Sequence, residues 1–174
     1  MLERALVTAV GEDKPGLVAA LSAFVAKSGC NIEDSRMAIL GSEFAMHLLV
    51  AGESAALSTL LEGLNQSASA VGLAVTVRKT QARKQAGVVP YELTAYSMDH
   101  PGIVQRVTEL LAERKVNIRG LETRLTNAPH TGQALFSLHA LVDVPATEKV
   151  AELRKALADL GASENIDVEL KPAG

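Results

Sequence analysis

Gly11-Glu12-Asp13-Lys14-Pro15-Gly16-Leu17-Val18 returns 86 residues later as Ser97-Met98-Asp99-His100-Pro101-Gly102-Ile103-Val104. A turn-forming Asp-x-Pro-Gly between an apolar run and a helical pattern, present twice, makes an internal duplication the first fact to establish. The same spacing carries Asn31-Ile32 onto Asn117-Ile118. Further on, Phe44-Ala45-Met46-His47-Leu48-Leu49-Val50 matches Phe136-Ser137-Leu138-His139-Ala140-Leu141-Val142, now 92 residues apart. The extra residues of the second copy fall in Asn127-Ala128-Pro129-His130-Thr131-Gly132, a cluster of turn formers between two apolar runs.

Outward from the Pro-Gly loops, the apolar period changes in a fixed order. Arg4 to Val10 reads as a strand. Leu17, Val18, Leu21, Phe24 and Val25 then mark one helix face, repeated by Ile103, Val104, Val107, Leu110 and Leu111. Ile32 to Leu40 and Glu43 to Ala51 form a hairpin around Gly41-Ser42. Leu57, Leu60, Leu61 and Leu64 mark a second helix, and Leu73 to Arg78 closes the copy. Near the C-terminus, Ile166, Val168 and Leu170 alternate with polar residues in the period of a half-buried strand. The fold class is α+β: two ferredoxin-like βαββαβ modules, each an antiparallel sheet covered by helices on one face. Residues 1–79 form the first domain, 80–89 the linker and 90–174 the second domain. Within the third strand, Phe44, Met46, Leu48 and Val50 face the helices, which leaves Ala45, His47, Leu49 and Ala51 on a far side apolar enough to suggest contact with another module or subunit.

Composition narrows the functions. The 174 residues are 48% apolar and 21% charged, with a net charge of −3, which suits a folded domain without a basic nucleic-acid footprint. RNA-recognition modules share the element order but stack bases on aromatic side chains, and the chain is only 3% aromatic; Tyr91 and Tyr96 point to opposite sheet faces. No nucleophile elbow, phosphate-binding glycine loop or acid/base pair is recognisable, so the chain does not read as an enzyme. Cys30 is the only cysteine, which excludes an internal disulfide and a multi-cysteine metal site. The N-terminus lacks the pattern of a signal peptide and no apolar run is long enough to span a bilayer, so a cytoplasmic protein without membrane contact is expected. His47 and His139, equivalent on the far sheet face, lack the spacing of a metal motif. The basic run Arg78, Lys79, Arg83 and Lys84 reads as solvated linker.

The loops carry the binding chemistry. Pro15 and Pro101 are tolerated in a first helical turn, where the missing N–H has no intrahelical acceptor. The remaining N–H groups and the helix dipole favour a carboxylate, and Asp13 or Asp99 can accept hydrogen bonds from an ammonium group, so both ends of an amino acid are matched. Gly16 and Gly102 leave room for close approach. Ordinary capping and turn formation accounts for the same residues without a ligand. Asn31 and Asn117 have the alternative of a left-handed turn after the helix. Lys14 stands where the second copy has His100, so the two loops need not share a ligand.

These residues, in this element order, resemble the tandem ACT-domain regulatory proteins, and among them the glycine-cleavage-system transcriptional repressor type. The resemblance spans nearly the whole chain. It implies allosteric, transcriptional regulation without a cofactor: a small amino-acid effector, glycine being the candidate, binds at module interfaces through Asp13, Lys14, Pro15, Gly16, Leu17, Asn31 and Ile32 and through Asp99, His100, Pro101, Gly102, Ile103, Asn117 and Ile118. It further implies a protein partner such as a transcription factor. The charge balance argues against direct contact with nucleic acid, and the modules are expected to pack sheet edge to sheet edge, with a homodimer as a further assembly because C2 pairs are the commonest. A ligand-independent interaction scaffold is the alternative.

Overall fold

The computed structural model describes residues 2–82, 87–127 and 132–174. The chain divides into two compact units, Met1–Lys84 and Gln85–Gly174. In the first, β1 (Leu2–Glu12), α1 (Leu17–Lys27), β2 (Asn31–Leu40), β3 (Glu43–Glu53), α2 (Ser54–Ala70) and β4 (Ala74–Thr80) follow one another. The second repeats them as β5 (Val88–Met98), α3 (Ile103–Glu113), β6 (Asn117–Asn127), β7 (Ala134–Pro145), α4 (Val150–Glu164) and β8 (Asp167–Pro172). Strand β5 therefore begins inside the segment read as linker. Residues 128–131, within the expected insertion, and Arg83 and Lys84 of the basic run lie outside the described residues.

Each sheet is antiparallel, ordered β2-β3-β1-β4 and β6-β7-β5-β8. The split βαβ order arises because β3 returns beside β1, which leaves β2 and β4 as edges. In the first unit the core joins Ala5, Val7 and Ala9 of β1, Leu17, Leu21 and Val25 of α1, Phe44, Leu48 and Val50 of β3 and Leu57, Leu60 and Leu64 of α2. The second unit buries Leu93 and Ala95, Ile103, Val107 and Leu111, Leu138, Ala140 and Val142, and Leu153 and Leu157 in the same places. Burial of these aliphatic stripes at about 25 cal/mol per Å² supplies most of the driving force for folding.

Helical spacing identifies α1 and α3, but their buried stripe is narrower than the sequence suggests. Leu17, Leu21 and Val25 are buried, whereas Val18 is 41% exposed and its counterpart Val104 36%. Adjacent residues lie about 100° apart around a helix, and the core takes the i, i+4, i+8 row fully, with Phe24 and Leu110 partly buried on one side of it. On the far sheet face, Ala45 and Leu49 are half-buried and His47 exposed, as the alternation of β3 predicts, but Ala51 is buried. Arg4 of β1 and Asn31 of β2 pair with it on either side, and the Arg4–Glu33 ion pair crosses the strand at that point. Next along β3, a Cβ on Gly52 would stand 2.7 Å from Cys30 Sγ. The second unit fills the same two places with Val144 and Val116, both buried.

Candidate functional site

Both Asp-x-Pro-Gly loops are built by the same constraints. Gly16 has φ +96 and Gly102 φ +101, backbone that L side chains rarely adopt, so each turn into its helix selects glycine. Nothing lies within 4 Å of the Cβ either residue would carry; conformation rather than crowding from the protein demands the glycine. These glycines are the N-caps, with Ala20 N–H donating to Gly16 O and Arg106 N–H to Gly102 O. Pro15 and Pro101 thus stand one residue before the cap instead of in the first helical turn, because the left-handed glycine delays the first helical bond. Asp13 N–H donates to Ser42 O at 2.9 Å and Asp99 N–H to Ala134 O at 3.0 Å, which ties each loop to its neighbouring hairpin.

Turn and cap are made by the backbone of these glycines, and no side chain adds to the cap. Neither α1 nor α3 has a side-chain N-cap hydrogen bond. Asp13 and Asp99 are exposed. Leu17 and Ile103 are buried in their cores, so only their backbone N–H groups face the loop. Lys14 extends toward the turn before β4, its Nζ 3.1 Å from where a Cβ on Gly72 would stand. His100 is half-buried, Nδ1 lies 3.3 Å from Pro101 O, and Nε2 is buried without a hydrogen-bond partner.

In the first unit an open groove of about 520 Å³ runs along this loop, lined by Asp13, Lys14, Val18, Ser22, Met37 and Phe44 among others. Met37, half exposed on edge strand β2, was not among the residues the sequence singled out. The available signal was its alternation with Ile39 on an edge that no second helix covers. In the second unit Val104, Leu121 and Leu125 form the corresponding exposed apolar strip beside α3.

Asn31 and Asn117 open β2 and β6, beyond the C-terminal ends of α1 and α3. They are not the left-handed residues of those turns: Gly29 (φ 78) and Lys115 (φ 57) are. Ile32 and Ile118 are half-buried and pack on the cores. An 11-residue helix, about 16 Å long, separates the loop from the Asn-Ile pair in each unit. Within a unit the expected site residues therefore form two groups, at opposite ends of the helix.

On the far sheet face, His47 Nδ1 lies 3.0 Å from Thr8 Oγ1, and His139 sits between Thr94 and Glu122 in register. Among the described residues no group of three or more His, Cys, Asp or Glu is placed to hold a metal ion, and no helix is long and apolar enough to cross a membrane. Tyr91 packs against the second core and Tyr96 projects from the far face, the opposite orientations their spacing requires.

Comparison with known proteins fits this architecture. The ACT domain profile matches residues 3–78. The glycine cleavage system transcriptional repressor of Escherichia coli (strain K12) is 29% identical over 168 residues, 94% of this chain and 88% of that protein. A UPF0237 protein of Methanopyrus kandleri is 38% identical over 79 residues, 44% of this chain and 88% of the relative. A crystal structure of an unknown protein from Galdieria sulphuraria superposes over the whole of both chains with a TM-score of 0.85 and 29% identity. With its fold present twice and the Asp-x-Pro-Gly turn kept in both copies, the chain belongs to the ACT-domain family.

Proposed function

We propose that this protein is a regulator that binds an amino acid at its Asp-x-Pro-Gly loops and passes the occupancy on to a protein partner. The observation that carries the reading is the loop itself. Twice, a helix N-terminus without a side-chain cap opens beside an exposed aspartate, and in the first unit a groove of about 520 Å³ adjoins it. Backbone N–H groups at such a terminus suit a carboxylate, and Asp13 or Asp99 suits an ammonium group.

Loop and Asn-Ile pair stand at opposite ends of one helix, so within a unit they are separate candidate contacts, the loop for the effector's charged groups and the Asn-Ile pair at the start of edge strand β2 or β6. Occupancy reaches a partner only if the effector binds one state of the protein more tightly than another, the difference that allostery requires.

Similarity to the glycine cleavage system transcriptional repressor supports glycine as the first effector to test and a transcription factor as the partner. A thermal-shift screen against the natural amino acids tests the reading. An effector raises the midpoint with concentration, and Asp13→Ala or Asp99→Ala abolishes the rise. If no amino acid shifts the midpoint at millimolar concentration, sensing is wrong and a ligand-independent scaffold takes its place, a reading favoured by the uncovered sheet faces.

A further inference from the structure

The groove beside the first loop has walls of a different character from its mouth. At the mouth stand Asp13 and Lys14, both exposed. Val18 and Ser22, one turn apart on α1, form one wall, with Ala19 next to Val18. Met37 of β2 forms the other. It pairs with Met46 of β3, which is buried in the core, so Met37 projects on the same side of the sheet as α1. Ser22 carries the only hydroxyl of these walls, and it donates to Val18 O within the helix. A groove of about 520 Å³ with charge at one end and apolar carbon along the rest fits a molecule divided in the same way, a charged head with an apolar remainder. Glycine has no side chain to lay along it.

The second unit does not keep these walls. Duplication places Gln105 where Ala19 stands, Thr108 where Ser22 stands and Thr123 where Met37 stands. Thr123 pairs with Leu138 as Met37 does with Met46, so the two positions are equivalent in the fold. Thr123 interrupts the apolar strip between Leu121 and Leu125. Gln105, whose amide donates to Glu109 Oε1 at 2.8 Å, sets a polar chain next to Val104. The two units share the turn but not the wall.

We infer that the first loop selects an amino acid with an aliphatic side chain, such as leucine, and that Met37 and Ala19 set this preference. The inference rests on the reading of the loop as an amino-acid site and adds the class of effector. The charged groups of the effector lie at Asp13 and the N-terminus of α1, and its side chain runs between Val18 and Met37. An unbranched thioether chain suits that place because it adapts to partners of different shape. Ala19 leaves space that a glutamine would occupy. Each methylene moved fully from water into such walls is worth about fourfold in affinity. With about half of its side chain covered, leucine gains about 15-fold over glycine.

Isothermal titration calorimetry of the full chain with glycine, leucine and asparagine tests this. Asparagine matches leucine in shape but carries an amide that the walls cannot bond. Leucine is expected to bind about 15-fold more tightly than glycine, and asparagine no more tightly than glycine. Asp13→Ala is expected to abolish leucine binding. Met37→Thr installs the second unit's residue at a half-exposed position and is expected to cut the leucine-to-glycine ratio about fourfold or more; circular dichroism verifies that both variants fold. Glycine or asparagine binding as tightly as leucine, leucine binding that survives Asp13→Ala, or a ratio unchanged by Met37→Thr overturns the inference and leaves the amino-acid reading standing. If no amino acid binds, that reading falls with it.

Discussion

Arg4 on β1 and Glu33 at the bulge of β2 form a forked ion pair, Nε to Oε2 at 2.6 Å and Nη2 to Oε1 at 2.8 Å, that crosses β3 at Ala51. The second unit keeps the bulge, between Ile118 and Gly120, but exchanges the partners. Arg119 takes the place of Glu33, Pro90 that of Arg4, and Asp143 that of Ala51. Arg119 Nη1 lies 3.6 Å from Asp143 Oδ1, and Asp143 is 1% exposed. In both units a charge at the bulge is held by one on the sheet, which pins the start of the edge strand where Asn31 or Asn117 stands.

Arg119→Ala takes the cation from that buried carboxylate. The expected loss of stability is about 1–3 kcal/mol, the usual range when a buried polar group loses a partner. Asp143→Ala is expected to lose less, since it removes the buried charge itself and leaves the partly exposed Arg119 to water. Urea unfolding of both variants and the double variant checks this; equal losses from the two single variants would contradict the assignment.

Arg4 holds the Glu33 carboxyl below the usual carboxylate range through its hydrogen bonds. A depressed folded-state value stabilises above the unfolded one, about 4.3, and that contribution is lost as pH falls through the folded value. Glu33→Gln should therefore lower the melting temperature at pH 6 and converge with the native chain at the acid end. Melts between pH 2 and pH 7 read this directly, and a difference independent of pH would reject it.

Gly16→Ala and Gly102→Ala place a Cβ at φ +96 and +101. Strain of about 1–2 kcal/mol, partly offset by the stiffer unfolded chain, leaves an expected net loss near 1 kcal/mol at either site. Denaturant midpoints measure it. Because no neighbour is crowded, second-site changes in packing should not restore the loss.

Gly52→Ala sets a methyl 2.7 Å from Cys30 Sγ, and overpacking of this kind costs about 1–3 kcal/mol. Adding Cys30→Ala should recover part of that loss. A double-mutant cycle with no coupling would show that the two positions do not compete for space.

Cys30 is buried, and burial pushes its thiol above the usual range. Thiol reagents should label the native protein slowly and the urea-unfolded chain rapidly, since the thiolate is the reactive form. Equal labelling rates would place Cys30 at the surface.

Element order, hairpin positions and most core positions were legible because strands and helices impose different periods on aliphatic residues. Leu21, Val25, Val107 and Leu111 could be assigned to the core from spacing alone. Val18 and Val104 could not, since a residue adjacent to a buried stripe is covered only if another layer reaches it. Gly16 was recognised as a loop glycine, but its role as N-cap, with Pro15 left outside the helix, depends on φ, which the order of residue types does not specify. The distance between Asp13 and Asn31 was hidden for a related reason. Residues grouped by similarity to a family need not be neighbours in one unit, and here a whole helix lies between them. Ion pairs such as Arg4–Glu33 depend on strand order and on a bulge, neither of which leaves a local signal.

The Cys30–Gly52 contact also bears on how the two halves can exchange sequence. Duplicated segments in one gene are prone to recombine with each other. A crossover between the codons for residues 30 and 52 would combine Cys30 with the valine of position 144, in a space that takes no side chain beside that sulfur. Such a chimera would carry at position 52 a larger side chain than Gly52→Ala does, with an expected loss at least as large, whereas an exchange of both positions replaces one fitting pair, Cys30 with Gly52, by the other, Val116 with Val144.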